Sequence, residues 1–346
     1  MIMEPIKEPK PLVLVSASPH MHCGLTISKS MREVILALVP AVLASVYYFR
    51  VDAVRVIVCC VLSAIIFEKL ANNVMGVKKD TVKDGSAALT GLLLALCLPA
   101  SLPSYMAVLG GMFAVVIGKA IFGGLGKNIF NPAHIGRAIL LASFPQQMTT
   151  WVIPATKAAA VTAATAGADA TTAATPLAVM RMTEKVWQAG GAAASQLPPL
   201  SDLFMGNVGG SLGETCVPAL VLGGLYLIWK KLIDWRIPVF YLATVAVLTG
   251  IYGAVMGYPS TFPLYHLFAG GLMIGAFFMA TDWVTSPITK KGKIIYAIGL
   301  GVLTSLIRLR GSYTEGVCYS ILMMNMVTPM IDRFVRNVSF GGGQKK

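Results

Sequence analysis

The chain has 346 residues, of which 56% are hydrophobic and only 12% are charged, and its mean hydropathy is +0.72. A soluble domain needs about 25% charged residues to cover its surface, so this composition excludes a soluble globular protein. The net charge of +13 does not indicate nucleic-acid binding, because the Lys and Arg residues fall at the ends of apolar runs, where they carry topology information.

Apolar runs of about 20 residues recur along the chain, and each is long enough to cross a bilayer core about 30 Å thick as a helix. Because backbone groups in lipid must be satisfied internally, the fold class predicted is an all-α polytopic membrane protein of about ten transmembrane helices. The predicted spans are residues 31–49, 53–75, 86–99, 104–122, 133–147, 216–232, 237–256, 264–281, 292–307 and 314–332. The third and fifth are short, which predicts tilted, broken or protein-shielded helices.

The distribution of Lys and Arg predicts the orientation of these spans. If successive connections alternate between the two faces, about three quarters of the 28 Lys and Arg residues lie on one face. The other face holds Arg50, Arg55, Lys157, Arg181, Lys185, Arg308 and Arg310. The bias places both termini in the cytoplasm, and the first 30 residues lack the apolar core of a cleavable signal peptide. The one long connection, residues 148–215, is then periplasmic in a bacterial inner membrane.

Two segments indicate an internal repeat. "LTGLLLALCLPASLP" covers the third span, and "MIGAFFMATDWVTSP" covers the eighth. Each has a Gly, an apolar run, a small polar break and a Pro, and each belongs to the third span of its half. Five spans per half is an odd number, so the halves insert with opposite orientations, as in transporters whose sites lie where broken helices meet. A chance match between two Gly/Pro-rich helices is the alternative.

The domain organisation predicted from these patterns has five parts. They are a cytoplasmic N-terminal segment (1–30), a first five-helix repeat (31–147), the periplasmic loop (148–215), a second five-helix repeat (216–333) and a cytoplasmic tail (334–346). The six cysteines form no C-x-x-C pair, and four lie in or beside apolar runs, which favours buried small hydrophobes over a metal site.

The long connection contains the stretch "DATTAAT", residues 169–175. Its composition alone favours a flexible Ala/Thr linker. Its spacing, Asp-x-x-[Ser/Thr]-[Gly/Ala]-Ala-Thr, resembles the flavinylation motif, in which a transferase attaches FMN to the last threonine through a phosphoester. The specified positions are filled by Asp169, Thr172, Ala173, Ala174 and Thr175.

A glycine-rich turn, "GGLGKNIFNPAHIGRA" at residues 123–138, joins spans four and five. A helix is predicted to begin near Pro132, because Pro suits the first helical turn. Asn128 and Asn131 are three residues apart, so their amides can point one way and hydrogen-bond the edge of a flavin ring. A capped, tightly packed re-entrant turn explains the same residues equally well.

Together, the flavinylation pattern in the long outer loop, "NIFNPA" after span four, "SPH" at residues 18–20 and the ten spans resemble the D subunit of the Rnf complex. This family couples ferredoxin:NAD⁺ electron transfer to Na⁺ or H⁺ translocation, and is related to the B subunit of the Na⁺-translocating NADH:quinone reductase. The resemblance covers essentially the whole chain. The segment "HMHC", residues 20–23, departs from the family pattern, and a metal site there is conceivable, although two His and one Cys supply only three ligands.

The resemblance implies a redox subunit with two flavins and a fold similar to that of urea transporters. FMN would be bound covalently to Thr175 and riboflavin noncovalently beside Asn128 and Asn131. The implied partners are other Rnf subunits, including a second covalent-flavin subunit and iron–sulfur subunits, together with a flavin transferase during maturation and the lipid bilayer. No nucleic acid and no catalytic residue in this chain are expected.

Acidic residues at membrane depth are candidates for function. Asp282 and Glu315 lie at span ends or inside candidate broken helices, and we expect them to belong to an ion pathway. The alternative function is a solute channel or transporter of the same fold, which the inverted repeat supports equally well. A passive channel has no use for an outward-facing flavin tether, so the threonine motif discriminates between the two.

Overall fold

The structure is a computed structural model that describes residues 26–76, 81–154, 174–188, 197–214, 216–311, 313 and 315–336. Over these ranges the chain is helical, and its β-structure is limited to one isolated antiparallel bridge between Pro99 and Ser211. This agrees with the predicted all-α membrane class. The motif residues Asp169, Thr172 and Ala173 and the segment at residues 20–23 lie outside the described residues.

The helices follow one another as a series of apolar rods and short connecting turns. They are α1 (Ile27–Val74), α2 (Ser86–Leu96), α3 (Ser104–Val115), α4 (Pro132–Ser143), α5 (Pro145–Met148), α6 (Pro176–Gln188), α7 (Leu200–Met205), α8 (Val217–Trp229), α9 (Arg236–Met256), α10 (Phe262–Phe268), α11 (Leu272–Ile274), α12 (Lys290–Arg310) and α13 (Val317–Phe334). A 3₁₀ turn, Thr81–Asp84, precedes α2, and π-helical turns extend α3 through Val116–Ala120 and α11 through Gly275–Met279.

Helix α1 is two helical arms joined at a sharp bend. Arg50 has φ 51° and ψ −126°, which no α-helix contains, and the two arms on either side carry the first two predicted spans. Nearby, the Arg55 guanidinium donates to the carbonyls of Ala100 and Leu102 at 3.1 and 3.3 Å. The bend is therefore stabilised by contacts with the segment that follows α2.

Two helices of the described chain, Arg236–Met256 and Lys290–Arg310, are each long and apolar enough to cross a bilayer alone. The pair Phe262–Phe268 and Leu272–Met279, bent by 65°, makes a third if it is counted as one span. Three further apolar helices are shorter, and the one over Ser86–Leu96 confirms that the third predicted span is short. The count of ten crossings and their inverted repeat stay predictions.

Many large apolar side chains are exposed and several charged side chains are buried, the reverse of the usual pattern in a soluble protein. Leu43 and Val255 are 64% and 78% exposed, whereas Lys119, Arg137 and Arg308 are buried. A lipid-facing surface requires this arrangement, because hydrocarbon accepts apolar side chains and leaves charges without solvation.

Glycines let the helices approach one another at backbone distance. A Cβ added at Gly223 of α8 would lie 2.1 Å from the carbonyl oxygen of Ala37, and one at Gly91 of α2 would lie 2.6 Å from that of Cys60. Both partner carbonyls belong to α1. Small residues at such crossings are typical of helix packing in membranes, where close van der Waals contact drives association.

The eighth predicted span, residues 264–281, is not one helix. The chain breaks between α10 and α11, where Gly270 adopts φ +71°, a conformation that favours glycine. Arg308 satisfies the carbonyls that the break releases, donating to His266 at 2.5 Å and to Ala269 at 3.2 Å. The freed Gly271 N–H donates to Glu315 Oε1 at 2.8 Å. The sequence predicted a break at the exit of this span and gave no sign of this one, because both side chains that stabilise it come from distant segments.

The predicted periplasmic loop ends inside the molecule. The N–H groups of Leu212 and Gly213 donate to the carbonyls of Leu98 and Leu96, at 3.0 and 2.6 Å, just beyond the end of α2. This pairing buries Ser211 and brings Glu214 to the centre, next to the broken helix.

Candidate functional site

The described candidate residues sort into two separate cavities. Thr175 and Glu315 line one cavity, named here the Thr175 cavity. Asn128, Asn131 and Asp282 line the other, named here the Asn128 cavity. Residues that lie far apart in the sequence are thus brought together in two groups, one for each predicted flavin.

Thr175 is the N-cap residue of α6. Its Oγ1 accepts a hydrogen bond from the N–H of Ala178 at 3.2 Å, its carbonyl accepts from Val179 at 3.0 Å, and Pro176 occupies the first helical position. The residue is half-buried, while the preceding Ala174 is exposed. A helix N-terminus presents N–H groups and a positive dipole end, which favour a phosphate attached at this position.

The wall of the Thr175 cavity carries three ionic side chains, Arg137, Glu214 and Glu315, of which the first two are buried and the third is 18% exposed. The Arg137 guanidinium donates to both carboxylate oxygens of Glu315, with Nη1 at 3.4 Å from Oε1 and Nη2 bonded to Oε2. Its Nη2 also lies 3.7 Å from Glu214 Oε1. One guanidinium is therefore shared between two carboxylates from different segments of the chain.

Aromatic rings stand beside this ionic cluster. The rings of Tyr313 and Tyr319 lie with centroids 5.0 Å apart, and Trp151 and Phe268 also line the cavity. The cavity has a volume of about 70 Å³, enough for a few water molecules.

The Asn128 cavity is larger, with a volume of about 260 Å³, and is mainly apolar, with Leu93, Leu227 and Phe278 on its walls. Asn128 is buried, and its Nδ2 donates to the carbonyl of Phe130 at 3.1 Å. Its Oδ1 is buried without a hydrogen-bond partner among the described residues. A buried polar atom without a partner is costly, so this oxygen is a strong candidate to accept from a ligand.

Asn131 has a different place from Asn128. Its Oδ1 caps α4 by accepting from the Ala133 N–H at 3.1 Å, and its Nδ2 donates to the Met279 carbonyl at 3.2 Å. Both ends of its amide are thus engaged within the protein. It fixes the start of α4 against the broken helix and forms the cavity wall.

Asp282 and a buried ion pair complete the Asn128 cavity. Asp282 Oδ2 accepts from the hydroxyl of Thr285 at 3.0 Å in the turn after the broken helix. Also on the cavity wall, Lys119 Nζ lies 2.7 Å from Glu68 Oε1 and donates to Ser86 Oγ at 2.5 Å.

Sequence reasoning missed Arg137, Glu214, Lys119 and Glu68. It counted Lys119 and Arg137 among the cations of the cytoplasmic face, whereas the structure buries the side chain of each against a carboxylate. A signal was present for Glu68, Lys119 and Arg137, since each lies inside a predicted span, where an ionisable residue indicates function by default. Glu214 lies in the predicted periplasmic loop and gave no such signal. The cysteine prediction is confirmed for Cys60, Cys97 and Cys318, which are buried free thiols.

The sequence model of the NQR2, RnfD, RnfE family matches residues 14–341. The chain belongs to this family. It is 49% identical to the D subunit of the proton-translocating ferredoxin:NAD(+) oxidoreductase complex of Clostridium ljungdahlii, over 96% of this chain and 97% of that protein. It is 43% identical to the D subunit of the Na(+)-translocating ferredoxin:NAD(+) oxidoreductase complex of Acetobacterium woodii, over 94% and 95% of the two chains.

A third relative is the D subunit of the ion-translocating oxidoreductase complex of Stutzerimonas stutzeri, 38% identical over 91% of this chain and 92% of that protein. These matches confirm the resemblance inferred from "DATTAAT", "NIFNPA" and "SPH". They span nearly the full length of each relative, so membership applies to the whole NQR2, RnfD, RnfE architecture and not to one segment.

Proposed function

We propose that this chain is the D subunit of an Rnf complex, a membrane redox subunit that carries FMN on Thr175 and noncovalent riboflavin in the Asn128 cavity. As such it passes electrons across the membrane and couples ferredoxin:NAD⁺ electron transfer to Na⁺ or H⁺ translocation. Its relatives bear the names of subunits of such complexes, which supports an activity exerted in a complex and not by the chain alone. Flavins supply the redox chemistry, since they exchange electrons singly or in pairs.

The observation that carries the proposal is the position of Thr175. Its hydroxyl lies at once at the N-terminus of α6 and on the rim of a cavity that contains the guanidinium of Arg137. A phosphoester there is stabilised by the α6 amides, and the attached flavin is held against the protein. An ordinary linker threonine needs neither feature.

The Asn128 cavity supports a noncovalent flavin. The pyrimidine edge of a flavin ring presents an N–H donor between two carbonyl acceptors, and the partnerless Asn128 Oδ1 matches that donor. The apolar walls suit the rest of the ring system, as in most cofactor sites. Asp282 lines the same space and Glu315 lines the other cavity, so each proposed ion-pathway residue would lie beside one of the proposed flavins.

Helix α4 connects the two cavities. Asn131 at its start belongs to the Asn128 cavity, and Arg137 faces the Thr175 cavity. At 1.5 Å of rise per residue, the two positions are separated by about 9 Å along the helix. Cofactors held in the two cavities would therefore be linked through this one helix.

The proposed topology has ten crossings in two inverted five-helix repeats in a bacterial inner membrane, with both termini cytoplasmic and the Thr175 loop periplasmic. One geometric detail supports the repeat. Gly85 has φ +82° and Gly270 has φ +71°, so a left-handed glycine lies three or four residues before each of the two similar segments, which begin at residues 89 and 273. The partners proposed are a second covalent-flavin subunit, iron–sulfur subunits and, during maturation, a flavin transferase.

In-gel flavin fluorescence of the denatured chain, co-expressed with its transferase, tests the proposal. The wild type and Thr175→Ser keep the acceptor hydroxyl and are expected to fluoresce. Thr171→Val changes a position at which the motif accepts any residue, so it is also expected to fluoresce. Thr175→Val is expected to be dark. A dark wild-type band of unmodified mass would contradict the proposal and favour the solute channel or transporter.

A further inference from the structure

The loop between α8 and α9, residues 230–235, starts with an unusual helix end. The Lys231 N–H donates to the Ile228 carbonyl at 2.9 Å, and the Leu232 N–H donates to the Leu227 carbonyl at 3.0 Å. These two hydrogen bonds define a Schellman motif, in which the residue after the C-cap takes the left-handed conformation and is usually glycine. Lys231 occupies that position, with φ +57°.

Backbone geometry does not explain a lysine at this position. A side chain in the left-handed conformation crowds the following carbonyl oxygen, which glycine avoids. The chain uses glycine where it turns left-handed after α1, α7 and α9, at Gly76, Gly206 and Gly257. The negative end of the α8 dipole attracts a cation, but Lys230 already supplies one there. The side chain of Lys231 is therefore retained at a cost to the backbone, which indicates a use for its charge.

Lys231 is also the cation of this loop that is not neutralised by an acid. The two acids that pair with the surrounding cations are Asp234, 3.1 Å from Arg236 and 3.3 Å from Lys293, and Glu33, 4.0 Å from Lys230. Lys231 is exposed and has no carboxylate partner within the described residues. This surface therefore carries an excess of positive charge, with Lys231 free to bind an external anion.

Three exposed tryptophans place the loop at the level of lipid headgroups. Helix α9 begins at Arg236 and is long and apolar enough to cross a bilayer alone, so the loop before it lies at a membrane boundary. Trp229 and Trp235 flank the loop and are 75% and 47% exposed. Trp283 is 52% exposed, and its indole N–H donates to the Leu232 carbonyl at 2.6 Å. Exposed tryptophans concentrate at membrane–water interfaces, where one side of the ring meets headgroups and the other meets acyl chains.

We propose that the loop between α8 and α9 binds an anionic phospholipid, and that Lys231 contacts the phosphate of its headgroup. An anionic headgroup carries the phosphate charge without the compensating ammonium of a zwitterionic lipid. It therefore matches an exposed cation that has no acidic partner, at the depth where lipid phosphates lie. The exposed Trp229 and Trp235 rings offer apolar surface to the acyl chains. The site depends on neither proposed flavin.

Photolabelling of the purified complex in phosphatidylcholine vesicles tests the proposal. Two lipids with the same diazirine-bearing acyl chain are compared, a phosphatidylglycerol and a phosphatidylcholine, and adducts on residues 229–235 of this chain are counted by peptide mapping. The wild type is expected to give more adducts with phosphatidylglycerol. Lys231→Gln and Lys231→Gly are expected to lower the ratio of phosphatidylglycerol to phosphatidylcholine adducts about fivefold, the effect of one cation at a membrane surface. Lys231→Arg keeps the charge and is expected to keep the ratio.

Two of the variants separate lipid binding from folding and from general charge. Glycine suits the left-handed position, so Lys231→Gly is expected to unfold in detergent at or above the wild-type temperature while it loses the lipid preference. Lys69→Gln is the matched control, since Lys69 is another exposed lysine and lies near the end of α1. It is expected to keep the wild-type adduct ratio at the loop.

Several outcomes would overturn the proposal. Equal labelling of the wild-type loop by the two lipids, or a wild-type ratio in Lys231→Gln, would exclude a preference set by Lys231. An equal loss in Lys69→Gln would show attraction by net charge and not by a site. A loop without adducts in the assembled complex would show that a partner subunit covers it. Displacement of the phosphatidylglycerol by inorganic phosphate, but not by chloride at the same ionic strength, would assign the site to a soluble anion instead.

Discussion

Arg137 and Glu315 join two halves of the chain across a separation of 178 residues. The guanidinium of α4 meets the carboxylate that precedes α13, and the same carboxylate receives the Gly271 N–H of the broken helix. One ion pair thus ties a predicted first-repeat helix to two elements of the predicted second repeat. Both side chains are largely buried, with 6% and 18% exposure.

Removing one partner of this pair is expected to destabilise the fold strongly. Arg137→Met or Glu315→Leu leaves a buried charge without its main partner, at a cost of about 3–5 kcal/mol. The double variant is expected to lose less stability than the sum of the losses in the two single variants. Thermal unfolding in detergent measures the stability of all three variants. Asp52→Asn, which removes a surface pair with Arg55, is the control and is expected to cost at most about 1 kcal/mol. Strictly additive losses would contradict a direct interaction.

Close helix packing predicts that alanine substitution destabilises the protein at Gly223 but not at Gly250. Gly223→Ala puts a Cβ 2.1 Å from the Ala37 carbonyl oxygen, so α8 must move away from α1, at a cost of about 1–3 kcal/mol. Gly250→Ala in α9 meets only Pro263 Cγ at 3.6 Å, an ordinary contact, and is expected to be neutral or slightly stabilising. Detergent stability of the two variants checks this, and equal effects would show that the packing account is wrong.

Asp234, in the loop between α8 and α9, is expected to make the stability of the fold depend on pH. Partial burial of Asp234 opposes ionisation, but the Arg236 amide and the charges of Lys293 and Arg236 outweigh it and hold the pKa of Asp234 below its ordinary value of 3.8. The pKa of Asp234 is lower in the folded state than in the unfolded state, so its ionised carboxylate stabilises the fold at pH values above the unfolded-state pKa. This stabilisation is lost as the pH falls through the folded-state pKa.

Solvent screens these charges, so Asp234→Asn is expected to lower stability at pH 7 by at most about 1 kcal/mol, and the difference from the wild type should shrink below pH 3.8. Asp234 bonds the Arg236 Nη1 at 3.1 Å and Lys293 Nζ at 3.3 Å, so it connects this loop to α12. Chemical unfolding at several pH values measures the effect. A difference that stays constant as the pH falls well below 3.8 would contradict the assignment.

Substitution of Asn128, whose Oδ1 has no partner among the described residues, is expected to remove the noncovalent flavin selectively. Asn128→Leu removes the acceptor and is expected to weaken riboflavin binding by roughly tenfold or more, since an unmade buried hydrogen bond costs about 1–3 kcal/mol. The flavin released by acid from the purified chain reports it, while the covalent flavin stays. Asn73→Leu, a change at an exposed residue near the end of α1, serves as the control. Full riboflavin retention in Asn128→Leu would exclude the proposed contact.

Local patterns predicted most of the helices but not how they meet. Apolar length and the Pro at position 132 were enough for α4, α9 and α12, because helix propensity and hydrophobicity act along the chain. The break at Gly270 was missed, since it depends on Arg308 and Glu315 from distant segments to satisfy the freed backbone groups.

The same limit applies to the site. The motifs "DATTAAT" and "NIFNPA" predict Thr175 and Asn128 as flavin contacts, because each motif consists of adjacent residues. Arg137 and Glu214 become a pair only when residues 211–214 fold back against the end of α2, and no local pattern encodes that return. The nonlocal part of the site therefore required the structure.

The most direct test of the redox account is the partition of flavin after acid precipitation of the purified complex, resolved chain by chain. The account predicts FMN that stays with this chain and is lost in Thr175→Val, together with phosphate-free riboflavin in the supernatant that Thr175→Val leaves unchanged. A precipitated chain free of flavin, from cells that contain the transferase, would contradict the assignment of a redox function to this chain.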